Sequence, residues 1–181
     1  QSHLERPVFN TVKDAVDIYN ADIVTMSYGG FDTYNDGSEE ICQAVDYAFS
    51  KGALVFMAVG NESDAKTHYT GTVAARKKTK FIQVKVRRGV AILYVYLNWF
   101  DGKGVSNDLD LSLYDKNKKK ISSKKITIFR EEESPRGTES ELLFYNFYVS
   151  GPATYYLKVK NNSDNDQSFH IYSFDYNTTF K

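Results

Sequence analysis

The chain has 181 residues, of which 41% are hydrophobic and 15% aromatic, enough for one large domain or two small domains with real cores. Its 23 basic and 23 acidic side chains balance, so no overall field favours nucleic acid or an anionic membrane as a partner. The single cysteine, Cys42, excludes an internal disulfide and a zinc site built from several cysteines.

Membrane insertion is not expected from the hydropathy pattern. No apolar run approaches the roughly 20 residues that cross a bilayer. The first residues also lack the charged and then hydrophobic order of a signal peptide. We therefore expect a soluble chain without a membrane span.

The first part of the chain alternates helical and strand-like segments. Apolar residues at helical spacing predict a helix that begins after Asn10 or Thr11, either of which can cap it, and ends near Asn20. Residues 21–27 (ADIVTMS) predict a short buried strand that opens into a glycine-containing loop.

A second helix and strand follow this loop. Ser38 precedes two acidic residues, which predicts a capped helix start, and Gly52 stands where a helix would end. Residues 53–59 (ALVFMAV) predict a second buried strand, with Gly60 and Asn61 at its carboxyl end. Strand, helix and strand in this order predict a parallel α/β unit, in which ligands gather beyond the carboxyl ends of the strands.

The composition changes near residue 76, and we place a domain boundary there, with an α/β domain over residues 1–75 and a β domain over residues 76–181. Short runs with a half-polar alternation, separated by turn residues, predict an antiparallel β-sandwich or jelly roll. The predicted strands cover residues 81–86, 90–97, 109–114, 125–129, 142–149, 155–159 and 169–174.

Two sequence blocks in the α/β part resemble a known family. The run ADIVTMSYGG at residues 21–30, a helix, and GALVFMAVGNES at residues 52–63 resemble the corresponding segments of subtilisin-like serine peptidases. The resemblance implies part of a parallel, three-layer α/β peptidase domain. The alternative interpretation is that Gly60 and Asn61 only turn the chain after a strand.

The same resemblance implies roles for individual residues. It implies that the amide of Asn61 donates a hydrogen bond to the oxyanion of the tetrahedral intermediate. It also implies that a short edge pairs with the substrate backbone and borders the specificity pocket. The residues of this substrate-binding set are Ser27, Tyr28, Gly29, Gly30 and Gly60.

The chain lacks a recognisable catalytic triad. Neither the aspartate and histidine blocks nor the serine block of the family is present in the sequence. Echoes of the histidine and serine signatures at His68 and Ser140 are rejected as catalytic because both lead into strand-like runs. Instead, a motif of the form H-x-x-G-T followed by Val or Leu precedes an inserted jelly roll in some members, and His68, Gly71, Thr72 and Val73 resemble it. We therefore expect an internal fragment of a longer peptidase.

The β part resembles prepeptidase C-terminal sandwich domains through residues 107–115 (NDLDLSLYD) and residues 151–159 (GPATYYLKV). Asp108, Asp110 and Asp115 are candidate calcium ligands, since hard cations prefer several carboxylate oxygens. The alternative is a solvated strand edge with no metal. No other cofactor is expected.

These observations support two main functional hypotheses. In the first, the chain belongs to a secreted or cell-surface subtilisin-like endopeptidase that cleaves polypeptides, while the rest of that chain or a complementary chain supplies Asp, His and Ser. The chain alone is then inactive. In the second, it is a non-catalytic pseudo-peptidase module that binds protein or carbohydrate. A third, a phosphate-binding α/β fragment, lacks a P-loop lysine.

Overall fold

The computed structural model describes residues 5–28, 34–58, 65–87, 92–105, 107–130, 133–146, 151–173 and 178–181. The chain divides into two compact units, residues 1–61 and residues 62–181. This division lies earlier than the predicted one after residue 75, because the strand His68–Val73 pairs with a strand of the second unit. Among the described residues, neither helix has the length and hydropathy to cross a bilayer.

The first unit has a β-α-β arrangement preceded by a helix. Its strands pair in parallel, with Ile23 opposite Leu54 and Met26 opposite Met57, as the sequence predicted. The elements are α1 (Glu5–Asp17), β1 (Ile23–Met26), α2 (Glu40–Ser50) and β2 (Leu54–Met57).

Both predicted helix caps are wrong. Asn10 and Thr11 lie inside α1, and the Thr11 hydroxyl donates to the Pro7 carbonyl at 2.6 Å instead of capping. At α2 the N-cap residue is Glu39 instead of Ser38. The Glu39 carboxylate accepts hydrogen bonds from the backbone N–H groups of two residues in the preceding loop, so it orders that loop.

The carboxyl end of α2 matches the prediction. Gly52 follows the C-cap residue Lys51 and has a φ of 90°, a left-handed conformation that glycine adopts without strain. Its N–H donates to the Phe49 carbonyl at 3.0 Å. The chain then turns directly into β2.

The two-stranded sheet of the first unit has two different faces. Val24, Met26 and Val55 pack on one face against a small core from the helices and the start of β2. On the opposite face, Ile23, Leu54 and Phe56 are 59%, 51% and 59% exposed. The core residues are Val12, Val16, Ala44, Ala48 and Ala53.

The second unit contains two antiparallel sheets, which agrees with the predicted β-sandwich type. One sheet has the strand order β3-β10-β5-β8-β7 and the other β11-β4-β9-β6. All seven predicted strands are present, and the structure adds β3 and β11. The strands are β3 (His68–Val73), β4 (Ile82–Val86), β5 (Ile92–Phe100), β6 (Leu109–Tyr114), β7 (Ile126–Arg130), β8 (Thr138–Asn146), β9 (Ala153–Asn161), β10 (Gln167–Tyr172) and β11 (Thr178–Phe180).

One continuous core lies between these sheets and contains residues from both. Alternate residues of β4, β6 and β10 point into it, as in Leu109–Tyr114, where every second side chain is buried. Trp99 is 1% exposed, and its indole N–H donates to the Asn107 carbonyl at 3.1 Å. The only tryptophan of the chain is therefore part of the core and does not form a surface platform.

Candidate functional site

The predicted substrate edge begins where β1 ends. Ser27 and Tyr28 directly follow β1, both are exposed, and Tyr28 is 38% accessible. The ladder continues beyond β2, since the Ala58 N–H donates to the Met26 carbonyl at 3.1 Å. Because the two strands are parallel, their carboxyl ends lie at the same edge of the sheet, where α/β folds bind ligands.

The other four predicted site residues come after these two strands in the sequence. Gly29 and Gly30 follow Tyr28, and Gly60 and Asn61 follow β2. All four lie outside the described residues. The geometry of the predicted oxyanion donor therefore stays a prediction.

An apolar pocket adjoins the described part of this edge. Its volume is about 290 Å³, near the lower end of the range for small-ligand sites, about 300–1,000 Å³. One wall is α1 and the other is β1 with Tyr28. The lining residues are Pro7, Val8, Thr11, Val12, Ala15, Val24, Thr25, Met26 and Tyr28.

Sequence reasoning missed this pocket because it placed the start of α1 too late. The first turn of the helix carries Pro7 and Val8, which form part of the lining. Proline at a helix start and the i, i+4 spacing of Val8 and Val12 are the signals that extend the helix toward its amino terminus. Both were present in the sequence.

Polar contacts connect the two helices of the first unit. Tyr47 of α2 donates its hydroxyl proton to the Asp17 carboxylate of α1, with O···O distances of 2.7 and 2.8 Å. Lys13 also pairs with Asp17. Hydrogen bonds from Lys13 and Tyr47 lower the pKa of the Asp17 carboxyl.

The calcium candidates occupy two separate places. Asp108 and Asp110 lie near the start of β6, and the Arg130 guanidinium contacts them at 2.6 and 2.8 Å. Asn162 donates to both carboxylates at 2.8 Å. An arginine thus supplies the positive charge between the two aspartates.

Asp115 lies beyond the other end of β6. Its carboxylate accepts hydrogen bonds from the backbone N–H groups of Asn117 and Lys119 at 2.9 Å, so it shapes the following turn. In the part of the chain that the structure describes, no group of three or more His, Cys, Asp or Glu side chains is arranged to hold a metal ion.

A buried carboxyl group extends the arginine cluster into the sandwich. Glu141 of β8 is 1% exposed and accepts hydrogen bonds from the Leu111 N–H at 2.8 Å and from Arg130 Nε at 3.2 Å. Burial raises the pKa of the Glu141 carboxyl, although both hydrogen bonds oppose that shift. No local sequence pattern predicts this cluster, because its members come from different strands.

The two residues rejected as catalytic both lie in strands. Ser140 is 1% exposed within β8, and His68 begins β3. Packing explains the glycine at position 71 of the H-x-x-G-T motif, because a Cβ there would lie 2.9 Å from the Phe169 ring. Gly137, in the serine-like echo, has a φ of 91° and leaves no room for a Cβ, which would lie 2.4 Å from the Lys103 nitrogen.

His68 has one further neighbour that the sequence did not predict. Its Nε2 lies 3.0 Å from Nδ1 of His170 on the adjacent strand β10. Burial, and to a lesser degree the charge of His170, lower the pKa of His68. The signal for such a pair is the register between two strands that lie about a hundred residues apart in the chain, which no local pattern reveals.

The fold is similar to part of a known protease. No family model matches the chain, and no curated protein matches it by sequence. Among solved structures, the CspB protease of Clostridium perfringens superposes with a TM-score of 0.70 at 14% sequence identity. The superposition covers 99% of this chain and 42% of that protease. At this identity the likeness concerns the fold, which the chain shares with less than half of a larger protease.

Proposed function

We propose that the chain is part of a subtilisin-like serine endopeptidase and that it supplies the oxyanion donor Asn61 and the substrate-binding edge. The observation that carries this proposal is the fold likeness of nearly the whole chain to part of the CspB protease, at a TM-score of 0.70. The sequence blocks at residues 21–30 and 52–63 add support, since they follow each other in the family's order and contain the parallel strands β1 and β2.

In this proposal the segment after β1 pairs with the backbone of an extended polypeptide substrate. Ser27 and Tyr28 are exposed there, and Gly29 and Gly30 permit close backbone approach. Gly60 has the same role at the end of β2. The adjoining apolar pocket receives one apolar side chain of the substrate, because its walls consist mostly of aliphatic groups.

The chemistry proposed is peptide hydrolysis through an acyl-enzyme. Asn61 stabilises the oxyanion that forms when a serine attacks the scissile carbonyl. The serine, its histidine base and the aspartate come from the rest of a longer secreted or cell-surface chain, or from a complementary chain. The exposed sheet face of Ile23, Leu54 and Phe56 supports such a covering segment.

The longer natural protein that contains this chain provides the test. We expect Asn61→Ala to lower kcat for a peptide substrate by about 10²- to 10³-fold with little change in KM, because the donor acts mainly in the transition state. Asn117→Ala, an exposed turn residue of the second unit, serves as the matched control. An unchanged kcat in Asn61→Ala would contradict the proposal.

A second candidate function is a non-catalytic module that binds protein or carbohydrate. An aromatic group on the four-stranded sheet favours it, since Phe81 lies edge-on to Tyr114 and Tyr156 with ring centroids 5.1 and 5.6 Å apart. Lys158 Nζ lies 4.1 Å from the centroid of the Phe81 ring. A natural protein that hydrolyses no peptide but loses glycan or peptide binding in Phe81→Ala would establish this alternative.

A further inference from the structure

Lysines and aromatic rings share the outer face of the four-stranded sheet. Alternate residues of β6, β4 and the second half of β9 are buried in the core. The residues between them therefore lie together on the opposite face, which we call the basic face. Its lysines are Lys85 of β4, Lys158 and Lys160 of β9, and Lys181, whose backbone pairs with that of Gln83.

The ring of Phe81, just before β4, brings two ammonium groups together on this face. Lys158 Nζ lies 4.1 Å from the centroid of the Phe81 ring. Lys118 Nζ lies 5.1 Å from the same centroid and 5.5 Å from the centroid of the Tyr156 ring. A ring attracts a cation that lies within about 6 Å of its centroid. One aromatic ring therefore holds two positive charges near each other.

The turn after β6 positions Lys118 over this ring. Lys118 has a φ of 62°, and its N–H donates to the Asp115 carbonyl at 2.9 Å. The Asp115 carboxylate accepts hydrogen bonds from the N–H groups of Asn117 and Lys119. The turn is thus ordered by its own backbone, and it brings Lys118 to the basic face from a different element than Lys158.

The positive charge of the basic face is not neutralised by the protein. In the part of the chain that the structure describes, no ion pair involves Lys118 or a lysine of this face. The register places Asp110 opposite Lys160, but its carboxylate contacts Arg130 and Asn162. Because like charges at short range repel, an anion that contacts both Lys118 and Lys158 is favoured. The face is locally positive although the formal net charge of the chain is zero.

The spread of the lysines favours a polymer over a small anion. Lys158 and Lys160 are two residues apart on one strand, a distance of about 7 Å along it, and Lys85 lies on the neighbouring strand. A small anion contacts one or two such groups. A chain molecule with anionic groups at regular intervals contacts all of them.

The rings of the basic face favour a saccharide over a nucleic acid. Bases of single-stranded nucleic acids bind by stacking on open aromatic faces. Here two ammonium groups approach the Phe81 ring, and Tyr114 and Tyr156 lie edge-on to it. A saccharide needs no open ring face, because its anionic groups contact lysines and its hydroxyl groups bond to polar side chains such as Ser112, opposite Lys158.

We propose that the basic face binds an acidic polysaccharide, with Lys118 and Lys158 as the central anion site. Lys85, Lys160 and Lys181 contact further anionic groups along the same polymer. The site does not depend on the peptidase proposal, because it lies in the sandwich and shares no residue with Asn61 or the substrate edge. A binding measurement can therefore fail without affecting the kcat test of Asn61→Ala, and the reverse also holds.

The experiment is isothermal titration calorimetry of the complete chain with alginate, a polyuronate, and with dextran sulfate at low salt. We expect both anionic polymers to bind, neutral dextran not to bind, and added NaCl to weaken binding. The double variant Lys118→Gln/Lys158→Gln should raise the Kd about 10-fold, because two charge contacts are lost at once. Lys124→Gln/Lys125→Gln is the matched control, since it removes the same charge from exposed positions just before β7 and should bind as the wild type does.

Lysine acetylation mapped by mass spectrometry gives a second readout on the wild-type protein, which does not depend on the folding of a variant. Bound alginate should slow acetylation of Lys118 and Lys158 and leave that of Lys124 and Lys125 unchanged. Three results would overturn the proposal. They are binding of neither anionic polymer by the wild type, equal loss of affinity in the two double variants, and tighter binding of single-stranded DNA than of either polysaccharide.

Discussion

The two units bury their large apolar side chains to different extents. The sandwich encloses large residues such as Trp99, Phe169 and Leu143, each at most 1% exposed. The core of the α/β unit consists of valines and alanines, while its larger residues Phe49 and Phe56 are 71% and 59% exposed. Since buried apolar area is the main source of folding free energy, the sandwich should be the independently stable part.

The largest effect on stability is expected from removing the largest buried side chain of the sandwich. Trp99→Ala should lower the free energy of unfolding by about 3–5 kcal/mol, because it leaves a cavity and an unpaired Asn107 carbonyl. Urea unfolding followed by circular dichroism measures this change. Phe49→Ala, which removes an exposed ring in the α/β unit, should cost less than about 1 kcal/mol. Equal costs would remove the distinction between the units.

A smaller loss of stability is expected at Gly137, where neighbouring backbone atoms leave no space for a Cβ. Gly137→Ala should destabilise the sandwich by about 2–4 kcal/mol, since the new Cβ meets backbone atoms at a positive φ. The matched control is Gly104→Ala, which also has a positive φ but open space around it. It should cost only about 1–2 kcal/mol. A similar Tm for the two variants would contradict the steric argument.

The buried carboxyl of the sandwich predicts a pH dependence. Because the pKa of Glu141 is raised above its ordinary 4.5, the folded state holds a proton that the unfolded state has already released. Its contribution to stability is therefore complete below pH 4.5 and declines as pH rises toward the folded pKa. Denaturant unfolding measured from pH 4 upward gives the slope of the free energy of unfolding against pH.

Glu141→Gln should remove that part of the slope, since the amide oxygen still accepts from the Leu111 N–H and does not titrate. Glu139→Gln, two residues earlier on the same strand, keeps the buried carboxyl and should keep the slope. A wild-type slope retained in Glu141→Gln would assign the pH dependence to other groups.

The smallest effect is expected on the exposed face of the α/β sheet. Phe56→Ser should change the free energy of unfolding of this chain by at most about 0.5 kcal/mol and should improve its solubility. In a longer protein that covers this face, the same substitution should be strongly destabilising. Val55→Ser on the covered face is the control and should destabilise both forms.

Segments with strong local patterns were predictable from the sequence. β6 was predicted with its exact bounds because alternation is clear between Leu109 and Tyr114 and polar residues flank it. The parallel pairing of β1 and β2 followed from two apolar runs separated by a helix. β3 was not included among the predicted strands, since its threonines, histidine and Gly71 give no apolar alternation.

The candidate site was only partly predictable. Local motifs located Ser27 and Tyr28 at the end of a strand, where the structure has them. The contacts of Arg130 with Asp108 and Asp110, and of His68 with His170, depend on which strands become neighbours. That information lies in the register of the folded sheets, and the spacing of residues along the chain does not contain it.

At its two sides, the sandwich is held together by different kinds of contact between the edge strands of its two sheets. On one side Arg130 of the edge strand β7 reaches Asp110 and the Leu109 carbonyl of the edge strand β6 in the other sheet. On the other side, the Phe180 N–H of β11 donates to the Lys66 carbonyl at 2.9 Å, just before β3. Only the first closure involves half-exposed charges, which dissolved salt screens over about 10 Å at 0.1 M. Added salt should therefore speed amide hydrogen exchange at the β6–β7 side and leave exchange at the β3–β11 side unchanged.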